Sequence, residues 1–516
     1  MPLPSPRDLI RLSRDRNALL KASLALVAIS MGIALLVSKV EPGPMADFAR
    51  HRPDSAAGWL SLVRFGQPLP PEPENVTCFD MAADPDKTPF AEEIEAILGD
   101  LSSDPAAPVL RIWWEGITTK DHAAAIAKLA ALPGSGRHHR ECLGDLRFLS
   151  GDEAAALSDY RAEAAAFPTA AYARRSAVAL ARFEEDRTAM GELLADASVR
   201  WAMNPAVLVR EQAWMQDYRG MAPTILRIEA YLLTSPHVVP ALFTAAIWFF
   251  ILLSFRSGWR RFTGPAILAF LSGLLSATLT LYAVMVQEEI RGFERGPSDP
   301  TFDQFLYYLA GVSLREEALK LLCFLPLALW MRKRGSALDA LLLGGLVGLG
   351  FAFQENLSYF RAESSTYTAW LRLLTANVLH FSLTGIAGHA LWRVISRGGR
   401  GWEEFLVTFL AIVLAHGLYN SLIAVPAFAE YSVLSPIVIA AIAYQYFDPL
   451  RQHLDVAGLH RRPSPLGIFV IGSALLCCGI LISSAVAMPF RFAAGALACH
   501  DLWQTGCMRR PHPKGS

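Results

Sequence analysis

The sequence predicts an all-α polytopic membrane protein with about nine transmembrane helices and a mainly helical extracytoplasmic domain inserted after the first. Three observations carry this expectation. Of 516 residues, 53% are hydrophobic and only 18% charged, which is too apolar for an ordinary soluble enzyme. Several apolar runs reach the length of about 18 residues that a bilayer requires. The charged residues gather between those runs rather than within them. Because 47 basic residues balance 47 acidic ones, net charge gives no sign of a nucleic-acid partner, and the lipid bilayer is the expected environment.

The first span, 19–40, follows a basic stretch with Arg7, Arg11, Arg14 and Arg16. It reads as a signal anchor with the N-terminus in the cytoplasm, since the apolar run is long and no small-residue cleavage site follows it. Residues 1–40 thus form the first division of the chain. The second, 41–234, is polar, with a Pro-rich linker, PLPPEP at 68–73, followed by Ala-rich segments that predict helices. Within it, GDEAAALSDYRAEAAAFPTAAYARRSAVALARF breaks at a Gly-Asp turn and at a proline. Such spacing suits stacked helical hairpins of the tetratricopeptide kind and equally a plain helical bundle. A protein partner at this domain is expected under the first alternative.

The remaining runs, at 238–255, 265–287, 305–331, 338–359, 371–395, 405–428, 431–447 and 466–488, predict an eight-helix membrane core over 235–490. Alternate connections carry RSGWRR, MRKRG, SRGGRG and the basic segment around Arg451, Arg461 and Arg462. Basic loops face the cytoplasm, so counting from a cytoplasmic N-terminus places both 41–234 and the tail 491–516 outside. The cysteines agree with that arrangement. Cys323, Cys477 and Cys478 fall in spans, whereas Cys78, Cys142, Cys499 and Cys507 fall on the oxidising side. The pairs expected there are Cys78 with Cys142 and Cys499 with Cys507, unpaired structural thiols being the alternative.

One span contradicts its surroundings. FLYYLAGVSLREEALKLLCFLPLALW carries Glu316, Glu317 and Lys320 in its middle, which oppose insertion by roughly 8 to 10 kcal/mol if charged and unpaired. Glu316 and Lys320 stand four apart and share a helical face, so they predict a local pair. Glu317 points about 100° away and requires a partner on another helix. The following spans each offer polar groups: Glu355, Asn356 and Tyr359 in GLGFAFQENLSYF, His380 in NVLHFSLTGIAGH, and His416 with Asn420 in LAHGLYNS. Counted from the span ends, Glu316, His380 and His416 reach a common depth of roughly 14 to 18 Å, with Glu355 shallower and bordering them.

Each group alone has a plainer reading. A histidine in a membrane helix commonly makes an interhelical hydrogen bond, and Gly344, Gly345, Gly348 and Gly350 read as close helix packing. Taken together, two glutamates, two histidines and an asparagine at one depth suit a water-activating site: a carboxylate to accept a proton, and imidazole and amide groups for the developing oxyanion. The sequence has no serine elbow, and its membrane cysteines have no neighbouring histidine, so a serine or cysteine nucleophile is a poor rival.

EEALK at 316–320, FAFQENLSY at 351–359, the isolated His380 and HGLYN at 416–420 resemble, in order, the four motifs of the PrsW-type intramembrane proteases, relatives of the CAAX-prenyl endopeptidases within the glutamic group. The resemblance covers about 236–450. It implies hydrolysis of a peptide bond in a membrane-protein substrate, typically a membrane-bound anti-sigma factor, in a bacterial inner membrane. By analogy Glu316 is the base, Glu317 orients a histidine or shares the proton, and His380, His416 and Asn420 position water and hold the oxyanion. Lys320, Glu355, Asn356 and Tyr359 support the pocket. The large outer domain departs from compact members of the family. Metal-free, glutamic-type catalysis with no cofactor is the expectation; zinc held by Glu316, His380 and His416 is its rival, although no H-E-x-x-H motif is present. Two non-peptidase readings also stand, a proton-coupled transporter using the same buried groups and a non-catalytic receptor or assembly factor.

Overall fold

The computed structural model describes residues 11, 13–37, 54–65, 76–81, 91–132, 136–235, 237–256, 259–290, 293, 295, 296, 299–362, 366–453 and 464–494. Every regular element among them is helical and none is a strand, as the composition predicts. The chain divides into two compact units, Val40–Thr224 and the pair of segments Met1–Lys39 and Ile225–Ser516. The second boundary falls inside the helix Tyr218–Thr234, earlier than the expected position at 234. The linker 68–73, Cys499 and Cys507 lie outside the described residues.

In the unit Val40–Thr224, short helices pack mainly on their neighbours in sequence, from Ala107–Thr119 through His139–Leu149 and Glu153–Ala166 to Ala171–Phe183. Their starts are fixed by side-chain caps: Asp121, Asp152, Asp186 and Asn204 each accept from a backbone N–H in the first turn. The Gly-Asp turn is present, with Gly151 at φ +82°, a conformation that disfavours any side chain. Trp59, Leu110, Trp113 and Leu146 lie in one apolar cluster, and Tyr160, Tyr172, Ala177 and Met190 lie in another.

Arg64 enters this interior almost fully buried, at 1% exposure. Its guanidinium donates to Asp145 from Nε and Nη2 at 2.9 and 2.7 Å and to Glu141 at 3.0 Å. Asp145 also accepts from the hydroxyls of Tyr160 and Tyr172, at 2.7 and 2.8 Å, and the Tyr172 ring lies 3.9 Å from the guanidinium. A charge this deep is tolerated because every face of it meets a partner. Burial pushes the Glu141 carboxyl upward, but Arg64 and then His138 outweigh it and hold the group at about 2.

The expected Cys78–Cys142 bond is not formed: both are free, buried thiols. Cys78 is anchored in the second cluster, its N–H donating to Ser176 Oγ at 3.0 Å, while Cys142 packs in the first.

In the other unit, each of the nine expected spans coincides with helix, from Arg16–Val37 to Pro465–Ala494. Among the described residues, however, four helices are long and apolar enough to cross a membrane: Arg261–Glu289, Ala337–Arg361, Trp402–Ala424 and Pro426–Gln452. They become five if Tyr218–Thr234 and Val238–Ser254 are one broken span. This is a multi-pass membrane protein. The helix Arg315–Trp330 carries Arg315, Glu316, Glu317 and Lys320, so the residues of greatest interest depress its own hydropathy. The run expected at 371–395 is two helices, Thr366–Leu374 and Ala376–Ser396, broken at Thr375.

The helix Ala337–Ala362 is central, packed against the helices Val238–Ser254, Trp259–Met285, Arg315–Trp330 and Ala376–Ser396. Its glycines make this possible. A Cβ on Gly348 would stand 2.1 Å from the His380 carbonyl oxygen, and one on Gly350 would stand 2.0 Å from that of Phe270. Gly344 and Gly345 likewise face backbone of the His380 helix. The predicted role of these four in close packing therefore holds, and it brings two polar motifs to contact distance.

Replacing Arg64 with Ala leaves Glu141 and Asp145 buried without their cation, so the variant should lose about 3–5 kcal/mol of stability and expose Cys78 and Cys142 to a thiol reagent. The pH dependence has a defined sign. A carboxyl held below its ordinary value stabilises the fold above about pH 4.5 and stops doing so as pH falls toward 2. The gap in melting temperature between wild type and R64A should accordingly narrow as pH is lowered from 5 to 2; a gap that widens refutes the assignment.

Candidate active site

The four motifs converge. The helix Arg315–Trp330 is preceded by a π-helical stretch, Tyr307–Leu314, and presents Glu316, Glu317 and Lys320, all buried. Lys320 has no exposed surface. Its ammonium donates to Glu317 Oε1 at 2.9 Å, to Glu316 Oε2 at 3.4 Å and to His380 Nδ1 at 2.9 Å, and it lies 3.8 Å from the centre of the Phe351 ring. The expected pair of Lys320 with Glu316 is present, but the shorter contact is with Glu317.

Glu317 finds its partners on other helices, as its direction on the helix requires. Besides Lys320, it accepts from His416 Nδ1 at 3.0 Å on Oε1 and from the Thr384 hydroxyl at 3.3 Å on Oε2. Both of its oxygens are engaged, and the residue is wholly buried. Glu316 differs. It retains 8% exposure, and beyond the long Lys320 contact its neighbour is His416 Nε2, 3.8 Å from Oε2. That separation exceeds a hydrogen bond.

His380 is fixed from both sides. Lys320, which has protons only to give, faces Nδ1, whereas the Glu355 carboxylate faces Nε2 at 3.0 Å. These partners assign the neutral ring with its proton on Nε2. His416 likewise faces Glu317 from Nδ1, and its Nε2 faces Glu316 at 3.8 Å, so both of its nitrogens lie toward carboxylates. The two imidazoles stand edge to face, 5.2 Å between centres.

Glu355 lies closer to the centre than its sequence depth suggests, within hydrogen-bond reach of His380. Glu355 and Asn356 are bound by Arg372 of the short preceding helix: Nη2 donates to Glu355 Oε2 at 2.6 Å, and Nε donates to Asn356 Oδ1. Asn356 Nδ2 in turn donates to Asn377 Oδ1 at 2.9 Å. Tyr359 stacks on the Arg372 guanidinium at 3.7 Å. Asn420 lies one turn beyond His416, half-buried, and makes no hydrogen bond to this network among the described residues. Sequence reasoning missed Arg372, Thr384, Phe351 and Asn377. Arg372 was open to the charge argument applied to Glu316, since it too interrupts an apolar run; an isolated Thr, Phe or Asn gives no comparable signal.

Glu316, His380 and His416 each offer a donor atom within 4.8 Å of the others. Two histidines and a carboxylate are a zinc ligand set in kind, and each histidine here has its other nitrogen on a carboxylate, Glu355 or Glu317, as metal-bound histidines commonly do. The donor chemistry therefore fits a cation. The Lys320 ammonium lies within hydrogen-bond distance of two of the three, Glu316 and His380, so the chain supplies a positive charge of its own to them.

Residues 263–445 match the family model described as PrsW family intramembrane metalloprotease. The matched stretch contains all four motifs, so this region is of the PrsW type; the family is described as one of metalloproteases, whereas metal-free catalysis is the expectation from sequence. The match supports a hydrolase, an intramembrane peptidase acting on a membrane protein within the bilayer. No curated protein and no solved structure matches the chain.

The unequal bonding of the two glutamates is testable by stability alone. Glu317→Gln leaves the buried Lys320 short of its nearest counter-charge and should cost about 3–5 kcal/mol, read as a lower melting temperature of the full chain in detergent. Glu316→Gln should change it far less. Equal losses would mean that the two carboxylates share the structural role.

Proposed function

With the PrsW-type region as premise, we propose that this chain is an intramembrane endopeptidase in which Glu316 is the general base. The observation that carries the reading is the division of labour between adjacent carboxylates. Glu317 is saturated by Lys320, His416 and Thr384, while Glu316 keeps lone pairs free and faces a gap of 3.8 Å to His416 Nε2.

A water in that gap gives one proton to Glu316 while the other is oriented by the His416 lone pair. The resulting hydroxide attacks the carbonyl carbon of the scissile peptide, and the electron pair of the C=O moves to its oxygen. The Asn420 amide, one turn from His416, donates to that oxyanion, and the positive charge of the nearby Lys320, whose protons stay with Glu316, Glu317 and His380, stabilises it through space. Collapse of the tetrahedral intermediate breaks the C–N bond, and the proton held by Glu316 passes to the leaving amine. Glu317 keeps His416 in the required tautomer and Lys320 in place; Glu355 does the same for His380.

Glutamic catalysis is favoured over metal catalysis because Lys320 already engages Glu316 and His380. Zinc bound by Glu316, His380 and His416 would supply Lewis acidity toward water and the carbonyl. The substrate class is a membrane-bound regulator of the anti-sigma type, recognised by the helical unit Val40–Thr224. The alternating basic loops favour an outer location for that unit, with the N-terminus cytoplasmic in a bacterial inner membrane.

Cells producing wild type and Glu316→Gln should differ in the new N-termini found in their membrane proteins. Cleavage of the peptide spanning such a site by the purified chain should fall about 10²–10⁴-fold in E316Q with expression unchanged. It should also survive treatment with a zinc chelator. Retained cleavage in E316Q refutes the base, while one zinc per chain together with chelator sensitivity refutes the metal-free assignment.

A further inference from the structure

We infer that Arg372 is a positioning residue of the peptidase, acting through Glu355 to hold His380 in the single orientation and tautomer that the site uses. The inference rests on the reading of Glu316 and its neighbours as the reaction centre, and it adds a residue that none of the four motifs contains.

Arg372 belongs to Thr366–Leu374, a nine-residue helix separated from the His380 helix by Thr375. Its side chain is only 12% exposed, and an arginine there must be matched or removed from the apolar surroundings. The match is two-pronged. One nitrogen binds Glu355 Oε2 at 2.6 Å, another binds Asn356 Oδ1, and the face of the guanidinium lies on the Tyr359 ring. Three groups of the central helix are therefore gripped by one planar cation.

The grip has a consequence at His380. Glu355 Oε2 is the same oxygen that receives the His380 Nε2 proton. Glu355 is the most accessible acid of the network, its side chain 28% exposed, and without Arg372 it is free to swing toward that opening. His380 then loses the acceptor that fixes its proton on Nε2. Its Nδ1 no longer presents a dedicated lone pair to Lys320, the ammonium that also touches Glu316 and Glu317. The chain of contacts thus runs from Arg372 through Glu355, His380 and Lys320 to the base, each link a hydrogen bond. Lysine cannot replace the arginine, because a point charge does not bind two separate acceptors in a fixed plane.

The experiment uses the full chain in detergent micelles and the peptide spanning the cleavage site mapped against E316Q. Arg372→Met should lower kcat by up to about a hundredfold and leave KM within about twofold. Arg372→Lys should not restore the loss. Because Arg372 acts through Glu355, the double variant Arg372→Met with Glu355→Met should be no slower than Glu355→Met alone; this double variant also leaves no unpaired buried charge, so it tests the role even if R372M folds poorly. Histidine ¹⁵N spectra, with the His380 signals identified by their loss in H380A, should show one tautomer in wild type and a mixture in R372M. A raised KM with unchanged kcat, additive losses in the double variant, or an unaltered His380 tautomer each overturn the inference. If E316Q still cleaves, the base assignment falls, whereas the tautomer measurement continues to decide the role of Arg372.

Discussion

A fully buried ammonium organises the membrane unit. Lys320 has no exposed surface, and burying a cation is expensive unless it is paired and hydrogen-bonded. The chain meets that requirement with two carboxylates from its own helix, a histidine from another and an aromatic face from a third. Each partner is then constrained in turn. Glu317 takes His416 and Thr384, and His380 takes Glu355, so the partners of a single charge reach both imidazoles. Stability and chemistry are joined here, because the groups that neutralise Lys320 are those that surround the proposed base.

Such a network needs helices close enough for short side chains to meet, and the glycines of the central helix provide this. Gly344, Gly345 and Gly348 let the His380 helix approach backbone to backbone, and Gly350 does the same for the helix of Phe270. Contacts at that distance leave a side chain little freedom to choose another rotamer. The rigidity of an apolar, glycine-lined contact thus becomes the precision of the polar cluster beside it. Arg372, one turn before the boundary at Thr375, and His380, just after it, both meet Glu355.

The unit Val40–Thr224 solves a related problem in another way. Arg64 is also buried and also meets two carboxylates, with two tyrosine hydroxyls completing the shell of Asp145. There both carboxylate oxygens of Asp145 are used. The contrast with Glu316 is that the latter keeps one carboxylate oxygen off the ion pairs, the feature on which its proposed role rests.

Much was legible in the sequence because burial cost is a property of residue type and position. Glu316, Glu317 and Lys320 in an apolar run demand partners wherever the run folds, and helical periodicity shows that Glu317 must find them on other helices. The helical class, the membrane character, the Gly-Asp turn and the glycine packing follow from composition and local geometry in the same way. Sequence alone could not tell which carboxylate would be saturated, that Lys320 would lie nearer Glu317 than Glu316, that Thr375 would divide a span, or that Cys78 and Cys142 would sit as separate thiols. Those outcomes depend on the distance and rotation between helices, which are set by the summed packing of many side chains and so are decided only by the tertiary structure.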